Sequence, residues 1–217
     1  MADRAEATAL DAADELRAFH ERFAVADDGL IYLDGNSLGR LPRDAAARVA
    51  TVIESQWGQR LIRAWSEGWM ELPHTLGDRL GSALLGAAPG QVAVADSTTV
   101  CFYKLAAAAL SARPGRTQII TDVDNFPTDR YVLESLAAER ELEILWVRAD
   151  PAAGPEPSDV AALISERTAL VTFSHVNYRS AFILDARAIT ALAHEAGALA
   201  LWDLSHSAGA VPVSLDA

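Results

Sequence analysis

The sequence is poor in cysteine, lysine and positive charge, and each shortage excludes a class of protein. Its single cysteine, Cys101, cannot form an intramolecular disulfide, which is typical of proteins in the reducing cytosol. Its 18 basic residues are outnumbered by 30 acidic ones. The resulting net charge of −12 disfavours nucleic acid as a partner, because phosphate binding needs a basic surface.

Membrane and secretion signals are also missing from the sequence. No uninterrupted apolar run is long enough to cross a bilayer, and acidic residues follow Met1 where a signal peptide has a basic start and an apolar stretch. We therefore expect a soluble, cytoplasmic protein with no membrane or nucleic-acid partner.

Several cofactor and metal motifs are absent as well. No Gly-x-Gly-x-x-Gly segment or P-loop follows a predicted strand, which disfavours a nicotinamide-dependent dehydrogenase. Asp203 and His206 have the Asp-x-x-His spacing of a metal half-site, but no cysteine or carboxylate pattern accompanies them. We expect no metal.

What the sequence does contain is a regular alternation of short apolar stretches and helical stretches after residue 91. The predicted strands are residues 92–95, 117–121, 142–147, 169–173 and 199–202. The predicted helices between them are residues 99–112, 127–140, 157–164 and 186–196. Almost wholly apolar strands that alternate with helices predict the α/β class, with a mostly parallel sheet covered by helices on both faces.

The first ninety residues have a helical pattern instead. Helices are predicted over residues 6–23, 42–65 and 76–85, with Pro42 in the first turn of the second and Gly86 at the end of the third. We interpret residues 1–90 as an N-terminal helical arm and residues 91–217 as an α/β domain. No closing helix follows the last strand, so we expect the sheet to be incomplete.

Ligands of open parallel sheets bind outside the carboxyl ends of the strands, and polar residues follow four of the predicted strands. The segment from Asp96 to Thr99 comes between a strand and a helix, where free backbone N–H groups and hydroxyls can bind a phosphate. The alternative is that Ser97 or Thr98 only caps the helix.

Phe126 lies directly before a helix that begins at Pro127, so its ring could stack on a planar heterocycle or merely cover the helix start. Ser174 and His175 follow the strand at 169–173, although a histidine there is more often a plain loop residue. Asp203 ends an apolar strand, where a carboxylate is costly unless a cation or several donors meet it, and a pyridinium nitrogen is such a cation.

Taken together, these segments resemble the kynureninase family. The segment Asp34 to Gly39 resembles the family's Gly-Asn-Ser-Leu-Gly loop, and Phe126 to Asp129 resembles its Phe-Pro-Ser/Thr-Asp element, the most specific of the set. The Asp-Leu-x-His-x-x-Gly segment that starts at Asp203 is shared more loosely with related fold-type-I, aminotransferase class V-like enzymes that depend on pyridoxal phosphate (PLP).

The resemblance implies a PLP-dependent transferase-like large domain and a set of cofactor-binding residues. In the family, a threonine pair lies at the PLP phosphate, a phenylalanine stacks on the pyridine ring, and an aspartate pairs with the ring nitrogen beside a histidine. Carried over to this chain, the cofactor-binding residues are Thr98, Thr99, Phe126, Pro127, Thr128, Asp129, Ser174, Asp203 and His206.

The activity that the resemblance implies is hydrolysis of L-kynurenine or 3-hydroxykynurenine to anthranilate or 3-hydroxyanthranilate and L-alanine. This reaction belongs to tryptophan catabolism, which leads to NAD biosynthesis. The family is homodimeric, so we expect a homodimer of the full-length protein with a small-molecule substrate. The alternatives are another fold-type-I enzyme, such as a cysteine desulfurase-like or aminotransferase-like protein, and a non-catalytic truncated product.

The lysine that holds PLP in such enzymes is expected beyond Ala217, after the Asp203 strand. The only lysine present, Lys104, falls inside the helix after Thr99 and is interpreted as a helix-surface residue. No catalytic residue is therefore assigned to this chain, which we expect to be inactive alone. A further departure is Ala181, where relatives often carry the glycine of Tyr-x-Thr-Gly, so the backbone conformation of that segment is left open.

Overall fold

A computed structural model describes residues 3–24, 29–150 and 152–216. The described residues form two compact units, Met1–Met70 and Glu71–Ala217. The predicted connection between Ala149 and Pro157 includes residue 151, which lies outside the described residues, as does residue 217. No helix within the described ranges is long and apolar enough to cross a bilayer.

The first unit is helical, but its helices are shorter than predicted. Its elements are helix α1 at Arg4–Ala13, a 3₁₀ helix at Arg17–Arg22, helix α2 at Ala45–Thr51, and wider π-helical segments at Val52–Arg60 and Trp65–Trp69. The prediction of one helix over residues 6–23 is wrong. The Asp14 side chain accepts a hydrogen bond from the Leu16 backbone N–H at 2.9 Å, and such local bonds compete with helix continuation.

The predicted helix over residues 42–65 is also interrupted at both ends. Pro42 pairs as an isolated antiparallel bridge with Phe23 instead of starting the helix, and the Ala24 N–H donates to the Leu41 carbonyl at 2.8 Å. The helix therefore begins at Ala45. Helix α2 continues into the π-helical segment, which ends at Arg60 because Leu61, with a φ of 52°, leaves the helical region.

The second unit is an α/β domain. Its helices are α3 at Leu72–Leu80, a π-helical turn at Gly81–Leu85, α4 at Thr98–Ser111, α5 at Pro127–Arg140, α6 at Pro157–Ala161 and α7 at Ala186–Glu195. Its strands are β1 at Gln118–Asp122, β2 at Glu143–Val147, β3 at Thr168–Ser174 and β4 at Leu199–Asp203. Helix α6 is shorter than the predicted 157–164.

Within the described residues, four strands form one parallel sheet in the order β2-β1-β3-β4. The chain leaves β1 toward β2 and leaves β3 toward β4, so the two connections diverge from the middle of the sheet. A crevice where neighbouring strands lead away in opposite directions is the usual ligand site of open α/β sheets. The order of the strands thus directs attention to the carboxyl ends of β1 and β3.

Helices cover both faces of this sheet, which confirms the predicted fold class. On one face, Phe102 of α4 and Leu133 of α5 pack against Ile119 and Leu170. On the other face, Val160 of α6 and Ile189 of α7 join a second apolar cluster, which includes Ile120, Val171 and Phe173. The central strands β1 and β3 are buried along their whole length, as strands of a doubly covered parallel sheet are.

The predicted strand at 92–95 is absent. Helix α3 packs so closely on this segment that a Cβ atom built on Gly77 would lie 1.9 Å from the Val92 carbonyl oxygen. The Val94 N–H donates to the Pro73 carbonyl at 3.0 Å, so the segment's backbone bonds to a helix and not to the sheet. Residues 71–90, predicted as part of the arm, are thereby compact with the α/β unit, and the units divide at Met70 instead of residue 90.

Gly77→Ala is therefore expected to destabilise the chain by about 3 kcal/mol, because its methyl group would overlap a backbone oxygen that cannot rotate away. The higher helix propensity of alanine offsets only about 1 kcal/mol of this cost. Urea denaturation measures the difference, with Thr75→Ala at an exposed position of the same helix as the control. A Gly77→Ala variant as stable as the control would show that α3 does not pack on residues 92–93.

Candidate cofactor-binding site

The carboxyl ends of three strands bring the polar residues of the candidate site to one edge of the sheet. Ser174 at the end of β3 is the register partner of Asp203 at the end of β4. Asp122 ends the neighbouring strand β1, and the loop after it leads into α5. Side chains from distant parts of the sequence thus meet because parallel strands end at the same edge.

Asp129 and Asp203 form a buried pair of carboxyl groups. Asp129 is 1% exposed and comes from the first turn of α5, while Asp203 is 8% exposed. Burial, the charge of Asp203 and a hydrogen bond to the Asp203 carboxyl together raise the pKa of Asp129 to about 7. The shift follows from placing two like charges side by side away from water.

The pair lacks a cation within the described part of the chain. The Asp203 side chain accepts a hydrogen bond from the Ser205 N–H at 2.7 Å. Among the described residues, the Oδ2 atom of Asp129 has no hydrogen-bond partner, and neither carboxyl group forms an ion pair. A buried acceptor without a donor is costly, so this arrangement is suited to a ligand that brings a protonated nitrogen.

Asn125 joins three parts of the site, although its sequence context did not predict a role for it. Its side-chain oxygen accepts hydrogen bonds from the Phe126 N–H and the Ser174 hydroxyl, both at 2.8 Å. Its side-chain nitrogen donates to the Thr121 hydroxyl at 3.1 Å. A polar residue directly before an aromatic helix cap is the signal that could have drawn attention to it.

Phe126 precedes α5, and Pro127 occupies the first turn of that helix, where its missing N–H costs nothing. The Phe126 ring meets the Tyr178 ring edge to face, with 5.2 Å between the centroids. Tyr178 belongs to the loop after β3, so this contact ties the two loops on either side of the crevice. Phe126, Pro127 and Thr128 are each half-buried at the helix start.

The N-terminus of α4 is the predicted phosphate site. Ser97 precedes the helix with extended backbone, but its side chain makes no capping hydrogen bond, so capping by Ser97 is not realised. Thr98 is exposed and Thr99 is half-buried in the first turn, where backbone N–H groups lack helical partners. Helix α4 packs against α5, β3 and β4. Between described residues, no hydrogen bond links Thr98 or Thr99 to Asp129 or Asp203.

Lys104 is paired with an acidic residue close to the start of its own helix, α4. Its ammonium group forms an exposed ion pair with Asp96, just before α4. The hydrogen bond and charge of Asp96 raise the pKa of Lys104, which keeps the amine protonated and therefore not nucleophilic. The structure supports the interpretation of Lys104 as a helix-surface residue.

The two histidines after the strands have different surroundings. His175 meets Trp202 edge to face at 6.1 Å, its Nδ1 atom is buried without a partner among the described residues, and burial lowers the pKa of its imidazole. His206 is half-buried in the turn after β4. Within the described ranges, no group of three or more histidine, cysteine or acidic side chains is arranged to hold a metal ion.

The loop after β3 takes the conformation that a glycine would favour. The Ala181 N–H donates to the Asn177 carbonyl at 2.9 Å, and Ala181 has a φ of 59°. This left-handed conformation costs a residue with a Cβ about 1–2 kcal/mol. The departure from Tyr-x-Thr-Gly therefore puts a residue with a Cβ in a strained, left-handed conformation.

A separate cleft lies beside the site, beyond the ends of β1 and β2. Its lining includes Asp122, Asp124 and Asn177, and none of the predicted cofactor-binding residues. Burial is the main cause that raises the pKa of Asp122 to about 6, against hydrogen bonds from the backbone N–H groups of Asp124 and Asn125. The Asn125 N–H also donates to the backbone carbonyl of Asp122 at 3.4 Å, in the loop that leads to Phe126.

The fold and the buried carboxyl pair agree with the match to a known family. Residues 82–217 match the aminotransferase class-V family, and the chain belongs to that family. Over its whole length it is similar to kynureninases. It is 45% identical over 223 residues to the kynureninase of Burkholderia pseudomallei strain 1106a, with 100% of this chain and 51% of the relative covered. The kynureninase of Pseudomonas fluorescens is 44% identical over 220 residues, with 99% and 51% covered.

Solved structures share the fold. A variant of C-DES with glycine covalently linked to the PLP cofactor has a TM-score of 0.72 at 17% identity, with 86% of this chain and 50% of that chain covered. The cysteine desulfurase CsdA from Escherichia coli has a TM-score of 0.70 at 14% identity, with 92% and 51% covered. The chain spans about half the length of the curated relatives it matches.

Asp129→Asn is expected to change how stability depends on pH. A pKa of about 7 in the folded chain, well above the value of about 4 for an unfolded aspartate, means that the folded chain retains a proton that the unfolded chain releases. Stability therefore falls as pH rises from about 4 to about 7 and then levels off. The neutral asparagine removes the part of this fall that is due to Asp129 and leaves the part due to Asp122, so the variant gains on the order of 4 kcal/mol at pH 8.

Thermal or urea denaturation between pH 4 and pH 8 measures this difference. Glu134→Gln, at an exposed position of the same helix, is the matched control and should follow the wild-type profile. If Asp129→Asn is no more stable than wild type at pH 8, Asp129 is not buried beside Asp203.

Proposed function

We propose that the edge of the sheet beyond β1, β3 and β4 binds pyridoxal phosphate. The observation that carries this proposal is the buried Asp129 and Asp203 pair, which lacks a cation and retains an unpartnered oxygen in the described part of the chain. A pyridine nitrogen that carries a proton supplies both the donor and the positive charge that the pair needs. The residues present therefore fit the cofactor.

The remaining predicted residues divide between the other parts of the cofactor. Thr98 and Thr99, with the free N–H groups of the first turn of α4, would hold the phosphate. Phe126 would stack on the pyridine ring, flanked by Pro127 and Thr128. The family resemblance supplies the roles of the last two side chains: Ser174, at the end of β3, would contact the cofactor, and His206, in the turn after β4, would lie beside the ring.

PLP supplies an electron sink for the bond-breaking step at the substrate α-carbon. The protein's part is electrostatic. The Asp203 carboxylate would hold a proton at the pyridine nitrogen, and its negative charge raises the affinity of that nitrogen for the proton. Asp129, half protonated near neutral pH, would adjust the charge of the pair by gaining or losing its own proton.

The reaction we propose for the protein that contains this chain is kynureninase-like hydrolysis of L-kynurenine to anthranilate and L-alanine, in tryptophan catabolism. The support is the similarity to kynureninases along the whole chain, together with the Phe126 to Asp129 element at the start of α5. A homodimer in the cytoplasm, acting on a small molecule, is part of the same proposal.

A cysteine desulfurase-like activity is the second candidate. It is favoured by the fold shared with the cysteine desulfurase CsdA, but that likeness rests on 14% identity. The kynureninases are 44–45% identical, which is why we prefer the hydrolysis.

Asp203→Asn is expected to weaken the binding of PLP at least about tenfold, because it removes the charge opposite the ring nitrogen but preserves the size of the side chain. Fluorescence titration of the purified chain with PLP measures the dissociation constant. Glu134→Gln removes an acid from an exposed position of α5, outside the proposed contacts, and should bind like wild type. Equal affinity of all three proteins would contradict the placement of the cofactor.

Assays of product release distinguish the two candidate reactions. A longer protein that contains this chain and also the lysine that binds PLP should release anthranilate from L-kynurenine. It should form no alanine from L-cysteine. The chain as written should do neither, because its one lysine is ion-paired with Asp96. Alanine formation from L-cysteine without anthranilate release would favour the desulfurase.

A further inference from the structure

Asn125 occupies the centre of the site without belonging to any of the predicted contacts. It is 2% exposed, and each of its side-chain polar atoms is used. Its partners come from β1, from the end of β3 and from the residue before α5. A single buried amide thus connects the loop after β1 to the carboxyl ends of β1 and β3.

The orientation of this amide follows from what its partners can donate. A backbone N–H only donates, so the atom that faces the Phe126 N–H must be the oxygen of Asn125. The amide nitrogen then faces the Thr121 hydroxyl, which accepts. Because that same oxygen also meets the Ser174 hydroxyl, Ser174 must be the donor in their contact.

We infer that Asn125 is a positioning residue that fixes the direction of the Ser174 hydroxyl proton and the backbone of Phe126. The Ser174 proton is committed to Asn125, so Ser174 presents only its lone pairs to a bound molecule. Ser174 therefore accepts a hydrogen bond from the cofactor or its adducts and does not donate one. This inference rests on the proposed function, because it names what Ser174 offers to the cofactor proposed above.

The chain provides variants that separate these contacts. Asn125→Ala removes all three bonds. Asn125→Asp keeps an oxygen acceptor for both Phe126 and Ser174, but it replaces the donor toward Thr121 with a second oxygen and adds a buried carboxyl group. Thr121→Val removes the partner of the amide nitrogen and leaves the two contacts of the amide oxygen. It therefore measures the contribution of the hydrogen bond between Asn125 and Thr121.

The first measurement is independent of any ligand. Hydrogen exchange of the Phe126 amide, followed by NMR in the purified chain, should be faster in Asn125→Ala by roughly fivefold or more, the equivalent of one lost hydrogen bond. Asn125→Asp and Thr121→Val should retain the wild-type rate within about twofold. Unchanged exchange in Asn125→Ala would overturn the positioning of Phe126.

The second measurement uses PLP itself. The circular dichroism induced in its visible band reports a fixed orientation of the bound ring. It should decrease at least about twofold in Asn125→Ala at saturating PLP, with recovery in Asn125→Asp. Asn125→Ala should also weaken PLP binding. This loss of affinity should be smaller when Ser174 is already replaced by alanine, because part of it arises from the misdirected serine hydroxyl.

The outcomes distinguish this inference from the proposed function. Induced dichroism and PLP affinity that are equal in wild type and Asn125→Ala would overturn the inference and leave PLP binding intact. Strictly additive effects of Asn125→Ala and Ser174→Ala would overturn the role of Asn125 toward the serine. A wild-type chain that induces no dichroism would overturn the proposed function and the role toward the cofactor with it, whereas the exchange result decides the role toward Phe126 by itself.

Discussion

The proximity of two buried carboxyl groups, Asp129 and Asp203, is the constraint on which the rest of the site depends. Burial without a cation and the neighbouring charge of Asp203 make the second ionisation of this pair costly, so the pKa of Asp129 rises to about 7. The fold creates this situation through two features: the parallel register that ends β4 at Asp203, and the start of α5 at Pro127, which places Asp129 in the first turn. A protonated heterocyclic nitrogen resolves the same constraint by supplying a cation, and this is the physical basis for the assignment of PLP.

The sequence predicts the α/β class and the four central strands because each strand is an apolar stretch bounded by polar residues, and a buried parallel strand needs little else. It also predicts the start of α5, since proline in the first turn after an extended residue is a strong helix signal. The segment at 92–95 looks like such a strand but bonds to α3 through Val94, a choice that depends on the closeness of Gly77, which spacing alone does not reveal. The break after α1 depends on a local bond of the Asp14 side chain, and the late start of α2 depends on the bridge between Pro42 and Phe23.

Some residues of the candidate site could be predicted from the sequence, and others could be found only in the folded structure. Those within a recognisable motif, such as Phe126 and Asp129, could be proposed from sequence, and so could Asp203 from its position at the end of an apolar strand. Asn125 could not, because its role depends on bonds to Thr121 and Ser174, which are 4 and 49 residues away. The raised pKa of Asp129 likewise requires the distance between α5 and β4, which only the folded chain defines.

The pKa values of Asp129 and Asp203, measured with and without PLP, test the assignment of the cofactor site most directly. NMR of ¹³C-labelled aspartate, assigned by comparison with Asp129→Asn and Asp203→Asn, follows each carboxyl group through a pH titration with and without PLP. The account predicts that Asp129 titrates near pH 7 in the free chain and that its pKa falls when PLP binds, because a cation at the pair favours the ionised form. Titration of Asp129 near pH 4 in the free chain, or a pKa that PLP leaves unchanged, would contradict it.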